Sequence, residues 1–165
     1  MSDVIRWRAG DTCPLIVPVP VGVKIDAGML LYMDENGYAI PYRLFVERKQ
    51  KHYRHDFDID IENDIHCKFL GVSLSRNTED SPSTCRIATR GVFEFELWMK
   101  QDRVLLGQNV YLRPTWDGVT WHVSDDSLTI ERFSECFFPP MGRIAQTKLM
   151  NSPSQTLIKI HSNIL

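Results

Sequence analysis

The sequence predicts an all-β protein: a compact β-barrel or sandwich of short antiparallel strands, with two β units of similar plan and an extended N-terminal arm. Three observations predict it. Nine glycines and nine prolines break the 165 residues into short segments. The runs between them are rich in Val, Ile, Phe, Tyr, Trp and Thr, residues that fit a pleated, half-buried surface. Almost nowhere do apolar residues recur at the three-and-four spacing of an amphipathic helix. Many short strands separated by turn signals read as a sandwich or barrel.

In chain order, residues 1–22 are expected to form an arm or edge strand and residues 23–165 a single β-barrel domain. "PLIVPVPV" carries Pro14, Pro18 and Pro20, which cannot donate to a sheet ladder and so belong at an edge. Ahead of it, Trp7 stands between Arg6 and Arg8, a pairing of residue types favoured where one protein docks on another. "LLYMDENGYAIPY", Leu30 to Tyr42, is the clearest hairpin, because Asn36-Gly37 supplies the positive φ angles of a tight turn. The polar, basic stretch from Arg48 to Asp56, holding Lys49, Lys51 and Arg54, is expected to be a loop. "KFLGVSL" reads as a strand, and Ser75 to Cys85 as an exposed loop rich in Ser, Thr, Asn and Pro. "GVFEFELWM" and "QNVYL" read as strands, followed by a second hairpin turning at Trp116-Asp117-Gly118. Residues 122–140 offer the one place for a helical turn, capped by Asp126 or Ser127, with Glu131 and Arg132 facing water. "TLIKIHSNIL" reads as a last strand, completing the sheet or adding to a neighbour's.

A weak internal repeat runs through these elements. "KIDAGMLLY" resembles "RVLLGQNVY", with Gly28 matching Gly107 and Tyr32 matching Tyr111. Each Tyr leads into a hairpin, and each unit later reaches a glycine, Gly71 or Gly142. Duplication accounts for this, and so does the reuse of turn chemistry by unrelated strands.

Composition narrows the function. At 43% hydrophobic and 24% charged residues the chain can bury a true core. A net charge of -2 provides no global basic field for nucleic acid or an acidic membrane. The N-terminus lacks the layout of a signal peptide, and no apolar run approaches the roughly 18 residues of a membrane span. The expected place of action is a cytosol, or a larger assembly carried out of one. Cys13, Cys67, Cys85 and Cys136 stand far apart, so free thiols are expected, with a zinc site from His66, Cys67 and Cys85 as the alternative.

One stretch tests for chemistry. In "HDFDIDIENDIHC", acids at Asp56, Asp58, Asp60 and Glu62 alternate with Phe57, Ile59 and Ile61. A period of two is a half-buried strand with its acids outward. The first half of a calcium loop is present, but Ile61 replaces the glycine and Cys67 the bidentate Glu that such a loop needs. A hydrolase site from His55, Asp56 and His66 is the catalytic alternative, but no nucleophile-elbow, zinc-protease, P-loop or dinucleotide motif accompanies it. No cofactor or metal is therefore expected. The basic run Arg48–Arg54 beside the acidic run Asp56–Glu62 reads as two solvated faces in a solitary protein, or suits an assembly in which opposite patches of neighbouring copies meet and set register. Trp98, Trp116 and Trp121 with Tyr111 could form a carbohydrate platform, or pack within the core and hairpin.

The order of "AGDTCPLIVPVPVGVKIDAGMLLYMDENGYAIP", "FLGVSLS", "IATRGVFEFEL", "LLGQNVYL" and "MGRIAQT" resembles the small β-barrel head-decoration, or capsid cement, proteins of tailed bacteriophages. The resemblance covers roughly residues 9 to 148. The charged insert Arg48–Asp64 and the Trp-rich second hairpin depart from the short members. The resemblance implies a non-enzymatic virion protein that is assembled in the host cytoplasm. It would bind the major capsid protein on the outer surface of the shell, commonly as a trimer. It would hold neighbouring capsomers by avidity. Arg6, Trp7, Arg8, Pro18 and Pro20, with Arg48, Lys49, Lys51, Arg54, Asp56, Asp58, Asp60 and Glu62, are the partner-binding residues expected on these grounds. A carbohydrate- or surface-binding module is the alternative function, and a metal-dependent hydrolase a third.

Overall fold

The computed structural model describes residues 5–52, 64, 67–77, 83–97, 106–107, 109–112, 115–116, 121–122, 128–130, 140–147 and 154–162. They form antiparallel sheets with one helix. The first sheet runs in the order β2 (Pro14–Val19), β6 (Ser83–Ala88), β5 (Phe69–Ser73), β3 (Leu30–Met33), β4 (Ala39–Pro41). The second runs β1 (Arg6–Ala9), β7 (Arg90–Leu97), β13 (Ser154–His161), β12 (Gly142–Thr147), β8 (Asn109–Leu112), β11 (Leu128–Ile130). A short ribbon joins β9 (Thr115–Trp116) to β10 (Trp121–His122). The all-β reading therefore holds.

The two sheets are the same five-stranded plan, used twice in tandem. Strands β2, β6, β5, β3 and β4 correspond in order and direction to β7, β13, β12, β8 and β11, and β1 is an extra edge strand on the second. The registers correspond too. Tyr32 pairs with Ile40, and Tyr111 with Thr129. Leu31 pairs with Gly71, and Val110 with Gly142. Ile87 stands between Leu15 and Ser73, and Ile158 between Phe93 and Ile144. Even a loop hydrogen bond repeats: Gly28 N–H donates to Ser73 O at 2.9 Å, and Gly107 N–H to Ile144 O at 2.9 Å.

The edges β2 and β4 of the first sheet touch, so that sheet curls on itself. Val17, Leu31, Leu70, Cys85 and Ile87 fill the interior, closed by Val23 and Ile25 of the β2–β3 connection. The corresponding positions Val110, Met141 and Ile158 are buried in the second unit. There they merge with a layer between the units, where Leu30, Tyr32, Ile40, Phe69 and Val72 meet Phe93, Ile144 and Ile160. Thr89, the single residue between β6 and β7, is the corner. Its N–H donates to Thr12 O at 3.0 Å and its hydroxyl to Cys13 O at 2.8 Å, while its carbonyl accepts the Ser162 N–H at 2.6 Å.

Three expectations are corrected. Residues 48–52, read as loop, complete helix α1 (Tyr42–His52). Tyr42, Phe45 and Val46 bury one side of its first turns, Pro41 precedes its start, and Arg43 pairs with Glu47 one turn on at 2.9 Å. The rings of Tyr42 and Phe45 lie 5.2 and 5.0 Å from that of Tyr32. Tertiary burial, more than local pattern, thus holds the polar second half helical. Secondly, Leu128–Ile130, within the stretch reserved for a helical turn, is strand β11, because β8 offers it a ladder. Thirdly, the exposed loop expected over Ser75–Cys85 is shorter: Ser83–Cys85 begin strand β6, with Cys85 buried, and the first part of the loop is anchored. Asn77 Oδ1 accepts the Ile25 N–H at 2.5 Å, and its Nδ2 donates to Val23 O at 2.7 Å and Ser83 Oγ at 3.1 Å.

Candidate functional site

The N-terminal segment runs along both sheets. β1 is the outermost strand of the second sheet, with Arg6 opposite Glu94 and Trp7 opposite Phe93, and a bulge before Ala9. Trp7 is 51% exposed and lies against Gly91, where a Cβ would sit 3.5 Å from the indole. Arg8 reaches across the strand pair with two nitrogens on Glu94 Oε2, at 2.8 and 3.0 Å. β2 is the edge of the first sheet and exposes Pro14, Ile16 and Pro18, while Val17 and Val19 face inward. Its prolines leave that edge poor in donors, which protects it from edge-to-edge pairing. Pro20, half-buried, ends the strand, and Val21 beyond it is 62% exposed. Between the strands, Asp11 accepts the Cys13 N–H at 3.0 Å and pairs with Arg90 at 2.9 Å. These two contacts hold its carboxyl below the usual carboxylate range.

The basic run behaves differently from a free patch. Helix α1 lays Arg48 and Lys49 against the β3–β4 turn. Arg48 pairs with Asp34 at 3.1 Å, and Asp34 in turn accepts the N–H groups of Asn36 and Tyr38, both at 2.9 Å. Lys49 lies between Glu35 at 2.9 Å and Asp64 at 2.5 Å, with its ammonium 5.9 Å from the centre of the Phe45 ring. Burial works to lower its pKa, but the hydrogen bonds to Asp64 and Glu35 prevail and raise it above the ordinary lysine value. A pocket of about 170 Å³ lies between turn and helix, lined by Asp34, Glu35, Asn36, Ile40, Phe45, Arg48 and Lys49. Its cations are already matched by acids of the same chain, so it is a brace between hairpin and helix.

On the face of the second sheet turned away from the core, the β12–β13 ladder brings three basic residues together. Arg143 pairs with Lys159 in the ladder, and His161 follows two residues on. All three are exposed. Val72 and Ala88, which occupy the corresponding positions of the first unit, are buried. Partial desolvation of its ring, and then the nearby charges of Arg143 and Lys159, lower the pKa of His161. No sequence signal singled out these three residues, because they become neighbours only through the β12–β13 ladder.

Several expected site residues fall elsewhere. Lys51 lies in α1. Arg54, Asp56, Asp58, Asp60 and Glu62 lie outside the described residues, as do His55 and His66. Cys85 is buried in the first unit's interior and burial pushes its thiol up, whereas Cys67 is exposed. Among the described residues no group of three His, Cys, Asp or Glu side chains could hold a metal ion, and no helix is long and apolar enough to cross a membrane. Trp116 and Trp121 stand opposite each other in the β9–β10 ribbon. Compared with family models, with curated proteins and with solved structures, the chain matches none of them.

Proposed function

We propose that this is a non-enzymatic binding protein that decorates and stabilises the outer surface of a tailed-phage capsid. One observation carries the reading: residues 6–21 run along both sheets and expose Trp7, Ile16 and Val21. Exposed aromatic and aliphatic side chains on rigid strands are anchors for a protein surface, and Trp and Arg are the types that dominate such contacts. The duplicated, curled plan supplies a stiff platform for them, and each contact can be weak if several copies bind together. Binding to the assembled shell alone would stabilise that state by mass action.

The test is sedimentation of purified protein with undecorated, expanded shells of a tailed phage or prophage that carries this gene. Co-sedimentation, a rise in the shell's melting temperature, and loss of both in a Trp7→Ala/Ile16→Ser variant are expected. Protein left entirely in the supernatant at every salt concentration would sink the reading.

A further inference from the structure

We propose that the outer row of the second sheet formed by Asn109, Arg143, Lys159 and Val92 is a docking face for an acidic surface of a partner protein. In the capsid reading, on which the identity of that partner rests, the carboxylates belong to the shell.

The row has a counterpart in the first unit. There Leu30, Val72, Ala88 and Pro14 stand side by side across β3, β5, β6 and β2. Asn109, Arg143, Lys159 and Val92 stand in the same order across β8, β12, β13 and β7. Leu30, Val72 and Ala88 are buried, in the layer where the first unit meets the second. The plan thus uses this face to seat the next body in line. In the second unit the same face is uncovered: Arg143 and Lys159 are exposed, and Asn109 and Val92 are half-buried. Apolar residues have given way to polar and basic ones, so the occupant is a polar, anionic body and not a third unit of the same kind.

Charge within the row points the same way. Arg143 and Lys159 are directly opposite each other in the ladder, and like charges so placed destabilise a sheet. The other cations nearby are matched: Arg90 sits on Asp11 at 2.9 Å and Arg8 on Glu94 at 2.8 Å. Neither Arg143 nor Lys159 forms an ion pair with a described residue. An incoming carboxylate replaces their repulsion by two attractions, and the planar Arg143 fork can take both of its oxygens. The extent of the charge selects a protein over a nucleic acid. The unmatched cations span only the neighbouring strands β12 and β13, and toward β7 they are bounded by Glu94 and Asp11 with their partners. No basic track continues for a phosphate backbone to follow, and a net charge of -2 adds no global attraction. Half-buried Val92 and Leu157 place apolar surface beside the cations, the mixture found in protein interfaces.

The experiment measures binding of fluorescently labelled poly-L-glutamate to the full chain by anisotropy at low salt, with shell sedimentation beside it. Two variants lose the same charge: Arg143→Gln/Lys159→Gln in the row, and Lys24→Gln/Arg76→Gln, whose cations sit on Asp26. Polyglutamate binds wild type, more weakly as salt rises. The row variant binds about tenfold more weakly, the effect of one lost charge-assisted contact, and the Asp26 variant binds as wild type does. The row variant melts no lower than wild type, because its like-charge contact is gone, so lost binding is not lost folding. Should it fail to fold, Lys159→Gln alone carries the same expectation with a smaller loss. Equal binding by the two variants, or no binding of polyglutamate by wild type, overturns the inference. So does tighter binding at the row of a single-stranded DNA of equal charge, or self-association of wild type that the row variant abolishes, which would assign the face to nucleic acid or to a second copy. Shell binding indifferent to Arg143→Gln/Lys159→Gln sinks this inference and leaves the capsid reading intact; polyglutamate held at the row by a protein that never binds shells does the reverse.

Discussion

Gly71 and Gly142 are the same residue in two copies of one plan. A Cβ on Gly71 would overlap the carbonyl oxygen of Ala88 and lie 3.2 Å from Ile87 Cγ2. On Gly142 it would lie 2.5 Å from the carbonyl oxygen of Lys159 and 3.0 Å from Ile158 Cγ2. Each glycine lets the neighbouring strand, β6 or β13, come close enough for its isoleucine to fill the interior.

Replacing either glycine by alanine should destabilise the protein, but unequally. Gly71 also has φ +143, a conformation L side chains rarely adopt, so Gly71→Ala combines strain with overpacking, at least about 3 kcal/mol. Gly142→Ala involves overpacking alone, about 1–3 kcal/mol. Urea unfolding of the two variants measures both. Small, equal shifts would mean that the strands simply separate to make room.

Lys49 is held by two carboxylates, so Lys49→Met should cost about 1.5–3 kcal/mol at neutral pH by removing charge-assisted hydrogen bonds. The pH dependence has a definite sign. The folded-state pKa is raised above the ordinary 10.5, so the contribution is complete below that value and is lost as the pH climbs through the raised one. The stability difference between wild type and variant should stay level through neutral pH and shrink in strong alkali. A difference that shrank toward acid, beyond what protonation of Asp64 and Glu35 explains, would contradict this.

Asn77 satisfies backbone groups at Val23 and Ile25 with one side chain. Asn77→Ala leaves a half-buried N–H and a carbonyl without partners, which costs about 1–3 kcal/mol for each such group. Amide exchange should quicken first at Ile25, whose side chain helps to close the first unit's interior. Unchanged exchange there would show that Asn77 is no anchor.

His161 should titrate below the ordinary 6.5, because burial and the cations Arg143 and Lys159 disfavour its charged form. Arg90, its ladder partner, is the other cation beside it. The unfolded chain binds the proton more readily, so this residue takes stability from the fold as the pH drops below 6.5 and takes none above it. Nuclear magnetic resonance titration measures the value directly. In Lys159→Gln it should rise toward 6.5 without reaching it, since burial is the larger cause; no movement would remove Lys159 from the explanation.

The chain's local chemistry settled much in advance. Asn36-Gly37 dictated the β3–β4 turn, where Gly37 has φ +80, and alternation dictated β2, with Val17 and Val19 in and Ile16 and Pro18 out. The match of Gly28 and Tyr32 to Gly107 and Tyr111 was visible as a constant spacing. Other features needed three dimensions. The match of Ile87 to Ile158 is concealed because loops of unequal length change the spacing between copies, and only register reveals it. Helix α1 offered a faint signal, Tyr42, Phe45 and Val46 at helical spacing, and its polar half is helical because Tyr32 and Phe69 bury the other. The sequence could count cations and acids but not match them. It placed Arg48 and Lys49 in a patch for a partner, whereas folding brought the hairpin acids to them and left Arg143, Lys159 and His161 facing water. Periodicity and turn chemistry act between near neighbours in the chain, so they can be read from order alone. Charge pairing and close strand approach act between residues that only the folded backbone brings together.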